Sequence, residues 1–152
     1  MYHSSMNDAG DETVLSSQSP DTTIFSLLHA AQALEDKLED VLRQVGLSTP
    51  KYSVLAELIA AGTPLSLSEL ANKLSCVRSN MTQLVDRLEA DHLVKRVDDC
   101  ADRRGVKAAI TDEGRVRHEA GAAAVARLHT EFSAGVDESD RAALGRLLAA
   151  LG

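Results

Sequence analysis

The residues with the clearest chemistry lie between positions 78 and 87, where short hydrogen-bonding side chains alternate with apolar ones. Asparagine and glutamine pair with adenine through two hydrogen bonds, and arginine pairs with guanine in the same way. Because Met81, Val85 and Leu88 recur at helical spacing, one side of a helix here would be buried and the other left free. A major groove about 12 Å wide admits one such helix. The candidate base-contacting residues are Arg78, Ser79, Asn80, Thr82, Gln83 and Arg87.

A second polar segment, residues 98–105, lies between two strand-like runs, 93–97 and 106–110. This pattern predicts a β-hairpin with a long tip. Two arginines at an exposed tip, Arg103 and Arg104, suit insertion into a narrow and strongly negative minor groove. Asp102 could hold one of the two guanidinium groups through paired hydrogen bonds. Taken separately, the helix face and the hairpin tip are also typical of ordinary solvated surface. The prediction of contacts with DNA grooves depends on the two features occurring one after the other in the chain.

The elements around these segments predict a helix-turn-helix followed by the hairpin, across residues 66–110. Ser66 and Glu69 have the spacing of a capping box, which begins a short third helix. A break at residues 75–76 separates this helix from the fourth, and Leu65 could form a short strand. Helical periodicity also marks a long first helix, a second helix and two helices after residue 110. The predicted caps of these four helices are Asp21, Thr49, Thr111 and Asp137, with Pro50 at the first turn of the second.

Length and composition agree with one soluble domain plus an interaction arm, because the chain has 152 residues and 44% of them are hydrophobic. No apolar run approaches the ~20 residues of a membrane span, and no secretory signal is visible, so a cytoplasmic location is expected. Two cysteines exclude a disulfide scaffold. Residues 1–20, rich in Ser, Asp, Asn and Gly, are predicted to be a disordered tail.

The net charge of −7 is unevenly distributed. Residues 1–49 carry two basic and eight acidic residues, whereas residues 66–110 carry eight basic and seven acidic ones, including half of all Lys and Arg. The net charge of the central segment is therefore close to zero although the chain as a whole is acidic, which is a mild indication of an anionic partner. Four aromatic residues are too few for a protein that stacks on single-stranded bases.

The ordered motifs of residues 67–115 resemble the MarR family of winged-helix transcriptional regulators. They are Leu67-Ser68-Glu69-Leu70-Ala71, Leu84-Val85-Asp86-Arg87-Leu88-Glu89, Leu93-Val94-Lys95-Arg96, Asp102-Arg103-Arg104-Gly105 and Ile110-Thr111-Asp112-Glu113-Gly114-Arg115. The resemblance implies a mainly α fold with a small β-hairpin, in which residues 48–110 form a winged helix-turn-helix domain. The helices in residues 21–47 and 111–152 would be dimerisation helices.

The same resemblance implies a homodimer that binds a pseudo-palindromic duplex DNA site and represses genes. Residues 77–89 would be the recognition helix and residues 98–105 the wing, with Arg104 as the wing arginine and Asp102 as the acidic residue that orients it. Release from DNA would follow the binding of a small aromatic or phenolic effector, or the oxidation of a cysteine. No cofactor is implied.

Three residues depart from the family pattern. Ser75 stands where many members have glycine in the turn, and His92 stands where glycine is usual after residue 91. Val77 replaces the Ser or Thr that commonly caps the recognition helix, and loss of such a cap costs about 1 kcal/mol. The cap would therefore come from Ser75 or be absent.

Several residues are candidates for a switch. Cys100 is a redox candidate because it lies at the wing tip beside two arginines, whereas Cys76 is expected to pack as a small apolar residue. His29 and Tyr52 are candidate ligand-binding residues, since each has an apolar body and a polar tip. The five histidines include no pair with the spacing of a helical metal site, so no metal is predicted.

Two other classes of function stay open. The winged domain of a helical dimer could bind protein rather than DNA, given its near-neutral charge, and the two cases differ in salt dependence because only DNA binding weakens steeply with salt. An enzyme is not indicated, because the sequence has no legible Ser-His-Asp set, phosphate loop or metal cluster.

Overall fold

The computed structural model describes residues 20–152, with side chains described from Thr23 onward, so the predicted tail lies outside the described residues except for Pro20. The described chain is mainly α-helical with one small antiparallel sheet, as predicted. In chain order its elements are α1 (Pro20–Arg43), α2 (Thr49–Ala61), β1 (Leu65–Ser66), α3 (Leu67–Lys73), α4 (Arg78–Ala90), β2 (Val94–Asp98), β3 (Val106–Ile110), α5 (Asp112–Ala134) and α6 (Glu138–Leu151). The chain divides after Ala33 into two units, and the packing described below belongs to residues 34–152.

Most helix ends are fixed by local side-chain caps. The capping box of α3 is complete, because Ser66 Oγ accepts from the Glu69 N–H while the Glu69 carboxylate accepts from the Ser66 N–H. These hydrogen bonds, the one from the Ser66 N–H foremost, lower the pKa of Glu69. Thr111 and Asp137 cap α5 and α6 as predicted.

Two predicted helix starts are wrong, that of α2 by one residue and that of α1 by two. The N-cap of α2 is Ser48, whose hydroxyl accepts from the Lys51 N–H, so that Thr49 is already helical. Thr49 instead donates its N–H and its hydroxyl to the Glu39 carboxylate, at 2.8 and 2.9 Å, and thereby ties the end of α1 to the start of α2. Helix α1 begins at Pro20, which places Asp21 inside the helix rather than at its cap.

The sheet has the strand order β1-β3-β2 and is antiparallel throughout. Leu65 and Arg96 both lie opposite Ala108, so β3 is the central strand and the two-residue β1 completes the predicted hairpin on its other side. The bounds of β3 are as predicted, whereas β2 begins and ends one residue later than the predicted 93–97. The Leu93 carbonyl accepts instead from the Thr111 N–H, at the start of α5.

The core lies between α2, α3, α4 and the sheet. Its fully buried side chains are mostly leucine and valine from positions that the sequence periodicity identifies. They include Leu42, Val54, Leu55, Leu58, Leu70, Met81, Val85, Leu88, Leu93 and Val94. Since the only large side chains in this cluster are aliphatic, α4 is held to the domain by apolar packing along its inner face.

At two glycines of α5, the helix backbone lies too close to neighbouring residues to leave room for a Cβ atom. A Cβ on Gly114 would lie 2.1 Å from the Leu93 carbonyl oxygen, and one on Gly121 would lie 2.8 Å from the Tyr52 ring. Tyr52 also stacks on His118, with ring centroids 5.1 Å apart and planes 3° from parallel. Burial lowers the pKa of His118.

The terminal helices leave large apolar side chains in solvent. Residues 23–37 of α1 are exposed, among them Ile24, Phe25 and Leu28, and α6 has no fully buried residue. Among the described residues, no helix is both long enough and apolar enough to span a membrane.

Candidate nucleic-acid interface

Helix α4 presents its polar residues in an ordered way around the axis. Successive residues are offset by about 100°, and Met81, Val85 and Leu88 define the buried side. Ser79 and Gln83 therefore lie at the front, opposite the core, and both are exposed. Of the other predicted base-contacting residues, Asn80 and Arg87 lie on one flank, whereas Arg78 and Thr82 lie on the flank next to β2.

Not all of these side chains are equally available to bases. The Thr82 hydroxyl donates to the Arg78 carbonyl at 3.1 Å, so its proton is already engaged within the helix. Gln83, Ser79 and Asn80 are exposed and keep their donors and acceptors for a ligand. This makes Gln83 and Asn80, whose amides can form paired bonds with adenine, the strongest candidates for base contacts.

The N-terminus of α4 has no side-chain cap. Val77 is the N-cap residue, with φ −72° and ψ 146°, and the structure assigns it no side-chain hydrogen bond. Ser75 adopts a left-handed φ of 51°, a conformation that glycine adopts more easily. Because α4 has no side-chain cap hydrogen bond, the cap is absent rather than supplied by Ser75. Cys76 is half-buried against the core, as expected, and its thiol donates to the Val77 carbonyl. At the other end of α4, His92 has a φ of 61°.

An arginine of β2 pairs with two acidic residues of α4. The Arg96 guanidinium pairs with Asp86, at 2.5 Å, and with Glu89. These two carboxylates raise the pKa of Arg96, the hydrogen bond that Arg96 donates to Asp86 being the largest cause, so the group stays protonated. The triad fixes β2 against α4, and its one positive charge offsets one of the two negative charges that would otherwise repel a phosphate backbone.

The wing loop is ordered by its aspartates. Asp99 accepts from the Ala101 N–H and pairs with Lys107 at 3.5 Å, and its own N–H donates to the Gly105 carbonyl. Asp102 Oδ1 accepts from the backbone N–H of Arg104 at 2.9 Å. The expected contact between Asp102 and a guanidinium is therefore wrong: within the described residues, Asp102 shapes the main chain of the loop instead.

Arginines that are free of ion pairs line a groove between α4 and the wing. The groove, called here the wing groove, has a volume of about 510 Å³. Arg78 enters it from α4 and Arg104 from the wing, and neither has an ion-pair partner in the part of the chain that the structure describes. The remaining lining residues are Ser66, Leu67, Ser68, Arg96, Asp99, Asp102, Gly105 and Val106. Because three arginines and two aspartates line the wing groove, the formal charge of its lining is +1.

The structure brings together most of the predicted interface, and one predicted switch residue, Cys100, lies on the wing itself. Arg103 and Cys100 are exposed on the wing loop. His29 is exposed on the first half of α1, and the Tyr52 ring is occupied by its stacking on His118. Among residues 20–152, no cluster of three or more His, Cys, Asp or Glu side chains could hold a metal ion.

Sequence reasoning missed Arg96 as a residue of the interface. The available signal was the pair Asp86 and Glu89, which stand three residues apart on one helix face and need a cation nearby. Its source could not be identified from spacing alone, because several basic residues of the hairpin were equally distant along the chain.

Comparison with known proteins agrees with this geometry. The sequence profile described as "MarR family" matches residues 47–106. The HTH-type transcriptional regulator PrsX of Escherichia coli is 36% identical over 88 residues, which are 57% of this chain and 53% of that protein. The chain thus spans about half the length of the curated relatives that it matches.

Solved structures match over a larger part of the chain. A mutant of Escherichia coli MarR complexed with operator DNA is 25% identical, with a TM-score of 0.74 over 84% of this chain and 92% of that one. CouR from Rhodococcus jostii RHA1, bound to p-coumaroyl-CoA, is 26% identical, with a TM-score of 0.72 over 89% and 95%. Residues 47–106 thus match the MarR family, and the chain is similar in sequence and fold to HTH-type transcriptional regulators.

Proposed function

We propose that this protein is a dimeric transcriptional repressor that binds a pseudo-palindromic duplex site. The observation that carries the proposal is the wing groove, which lies beside the polar front of α4. Within residues 23–152, Arg78 and Arg104 have no ion-pair partner there. Helix α4, predicted as recognition helix 77–89, would lie in the major groove, and the wing, residues 98–105, would reach the adjacent minor groove. A phosphate strand between the two would occupy the wing groove.

Local charge supports this proposal against the net charge of −7. Asp86 and Glu89 are paired with Arg96, and Asp99 is paired with Lys107. Arg78, Arg87, Arg103 and Arg104 are all exposed and have no ion pair among the described residues. A polyanion that approaches this surface meets these four arginines, while Asp98 and Asp102 are the acidic wing residues without an ion pair among the described residues.

Selection of bound sites from random duplex DNA, followed by a titration at several salt concentrations, tests the proposal. We expect a two-fold symmetric consensus with half-sites about 34–36 Å apart and an affinity that falls steeply with salt. Arg104→Ala should weaken binding to all duplexes and lower the salt slope by about one unit per subunit. Arg127→Ala, which removes an exposed arginine from α5, is the matched control. A salt-independent affinity, or equal losses in the two variants, would contradict the proposal.

The exposed apolar residues of the terminal helices support a dimer, with residues 21–47 and 111–152 as dimerisation segments. Phe25 is 73% exposed on α1, and Leu147 and Leu151 are 63% and 68% exposed on α6. Large apolar side chains that are exposed together on one helix mark an association site. Sedimentation of the full chain should give the mass of a dimer. A monomer at micromolar concentration would contradict this part of the proposal.

Release by a small aromatic or phenolic effector is the form of regulation that the helical body supports best. An apolar groove of about 270 Å³ lies between the second half of α1 and α5, lined by Leu34, Leu38, Val125, Leu128, His129 and Phe132. A neighbouring groove of about 370 Å³ adds Lys37, whose ammonium could pair with a carboxylate. CouR, a structural relative, binds p-coumaroyl-CoA.

Titration of the protein–DNA complex with p-coumarate and benzoate tests this regulation, with glucose as the control. Loss of DNA affinity with the aromatic acids only is expected, and Leu128→Ala should reduce that loss. The predicted ligand residues are tested with His29→Ala and Tyr52→Phe, the second of which keeps the ring on His118. An effect of the acids that is unchanged in Leu128→Ala would exclude the groove.

Oxidation of Cys100 is the second form of regulation that was predicted, and its exposure on the wing supports access by peroxide. Mild peroxide should lower DNA affinity in the wild type and not in Cys100→Ser. If full oxidation of the thiol leaves the DNA affinity unchanged, release by oxidation is excluded. This outcome does not contradict the proposed release by a ligand.

A further inference from the structure

Val77 is an apolar side chain in an exposed and fixed position at the start of α4. It is 61% exposed. Its carbonyl accepts from the Met81 N–H at 3.1 Å and from the Cys76 thiol, so two hydrogen bonds fix the backbone next to the side chain. Valine is branched at Cβ and has few rotamers, which means that its methyl groups are presented in a nearly fixed direction.

Val77 carries two local costs that a serine or threonine would avoid. It leaves the first turn of α4 without a side-chain cap, and it places most of an isopropyl group in water. A capping residue here would be worth about a threefold to tenfold gain in the helix equilibrium. Residues that break a local rule without a visible gain in the folded chain are expected where a ligand supplies the gain.

The neighbours of Val77 indicate what that ligand group is. Arg78, Ser79 and Asn80 follow it on the first turn, and all three are exposed and polar. The residues at the N-terminal end of a recognition helix are the ones that meet base edges. In the major groove the only apolar group on a base edge is the C5-methyl of thymine, and every other feature there is a hydrogen-bond donor or acceptor.

We propose that Val77 determines sequence specificity by packing against the C5-methyl group of one thymine in each half-site. This inference rests on the proposed function, since it requires that α4 lies in a major groove. Val77 would then discriminate thymine from cytosine, which lacks the methyl, without any hydrogen bond of its own.

The test combines deletion of a methyl from the DNA with deletion of a methyl from the protein. In the selected duplex, each thymine is replaced in turn by deoxyuridine, which removes only the C5-methyl. The protein variants are Val77→Thr and Val77→Ser, both of which can cap α4 and which differ from each other by one methyl. Thermal unfolding of each variant checks that the fold is kept, and Val77→Thr serves as the matched control.

In the wild type, deoxyuridine at one position per half-site should weaken binding about fourfold per half-site, which is the effect of burying one methyl. Val77→Thr should keep most of this sensitivity, whereas Val77→Ser should bind thymine and deoxyuridine equally. If the wild type is indifferent to deoxyuridine at every position, or if Val77→Ser remains as sensitive as the wild type, the inference is wrong although the protein binds DNA. If the wild type binds no duplex at all, the proposed function fails as well.

Discussion

The winged region, residues 47–110, and the two terminal helices differ in how far their apolar side chains are buried. In the winged region, leucine and valine residues from α2, α3, α4 and the sheet are almost completely buried in one cluster. In α1 and α6, side chains of the same size are more than half exposed, among them Ile24, Leu148 and Leu151. The contrast teaches that one part of the chain completes its core by itself, whereas the other part leaves large apolar side chains that the described chain does not cover.

Leucine truncation in each region gives the largest expected effect. Leu88→Ala removes a fully buried side chain and should lower the free energy of unfolding by about 2–5 kcal/mol. Leu147→Ala, on the exposed face of α6, should leave the helical circular dichroism unchanged and weaken self-association by about tenfold. Denaturant unfolding and sedimentation measure the two quantities. The comparison fails if Leu147→Ala sediments like the wild type while its stability falls as far as that of Leu88→Ala.

A pair of glycines sharpens the same contrast. Gly114→Ala brings a Cβ against the Leu93 carbonyl, so we expect a loss of stability of about 3 kcal/mol from forced displacement of α5. Gly145→Ala, on α6, meets nothing within 4 Å and should raise stability by about 0.5–1 kcal/mol through the lower entropy of the unfolded chain. Thermal unfolding of both variants checks this. Equal destabilisation would mean that the face of α6 around Gly145 is closely packed in the assembled protein.

The contact between Glu39 and Thr49 gives the smallest effect and depends on pH. Hydrogen bonds from Thr49, the backbone N–H first, lower the pKa of Glu39 below its ordinary value of 4.5. The ionised form therefore stabilises the folded state above about pH 4.5, and this contribution is lost as the pH falls through the lowered value. Glu39→Gln should cost about 1 kcal/mol at pH 7 and progressively less below pH 4.5. A difference between the two proteins that is constant from pH 7 to pH 3 would contradict this assignment.

Much of the winged region could be predicted because its signals are local. The capping box at Ser66 and Glu69 spans four residues, and the period of Met81, Val85 and Leu88 gives the buried side of α4 directly. The bounds of β3 followed from a short run between polar turns. The cap of α2 was misplaced because Ser48 and Thr49 have equivalent capping chemistry, and only the backbone geometry distinguishes them.

The contacts that could not be predicted join residues that are distant in the sequence. Arg96 of β2 pairs with Asp86 of α4, and Tyr52 of α2 stacks on His118 of α5. Neither contact joins residues at a regular sequence spacing, so no sequence pattern predicts it. Asp102 was assigned to a guanidinium because that pairing is chemically good, yet the turn offered it a nearer donor in the Arg104 N–H. The exposed face of α4 is readable in the sequence, whereas the charge balance around it is not.

Ser75 and His92, the left-handed residues that flank α4, affect which substitutions this protein could tolerate during evolution. Each occupies a backbone conformation that glycine adopts more easily, and neither lines the wing groove. Exchange of either for glycine would release local strain while leaving the exposed polar residues of α4 in place. The stability gained in this way could offset destabilising substitutions elsewhere on α4.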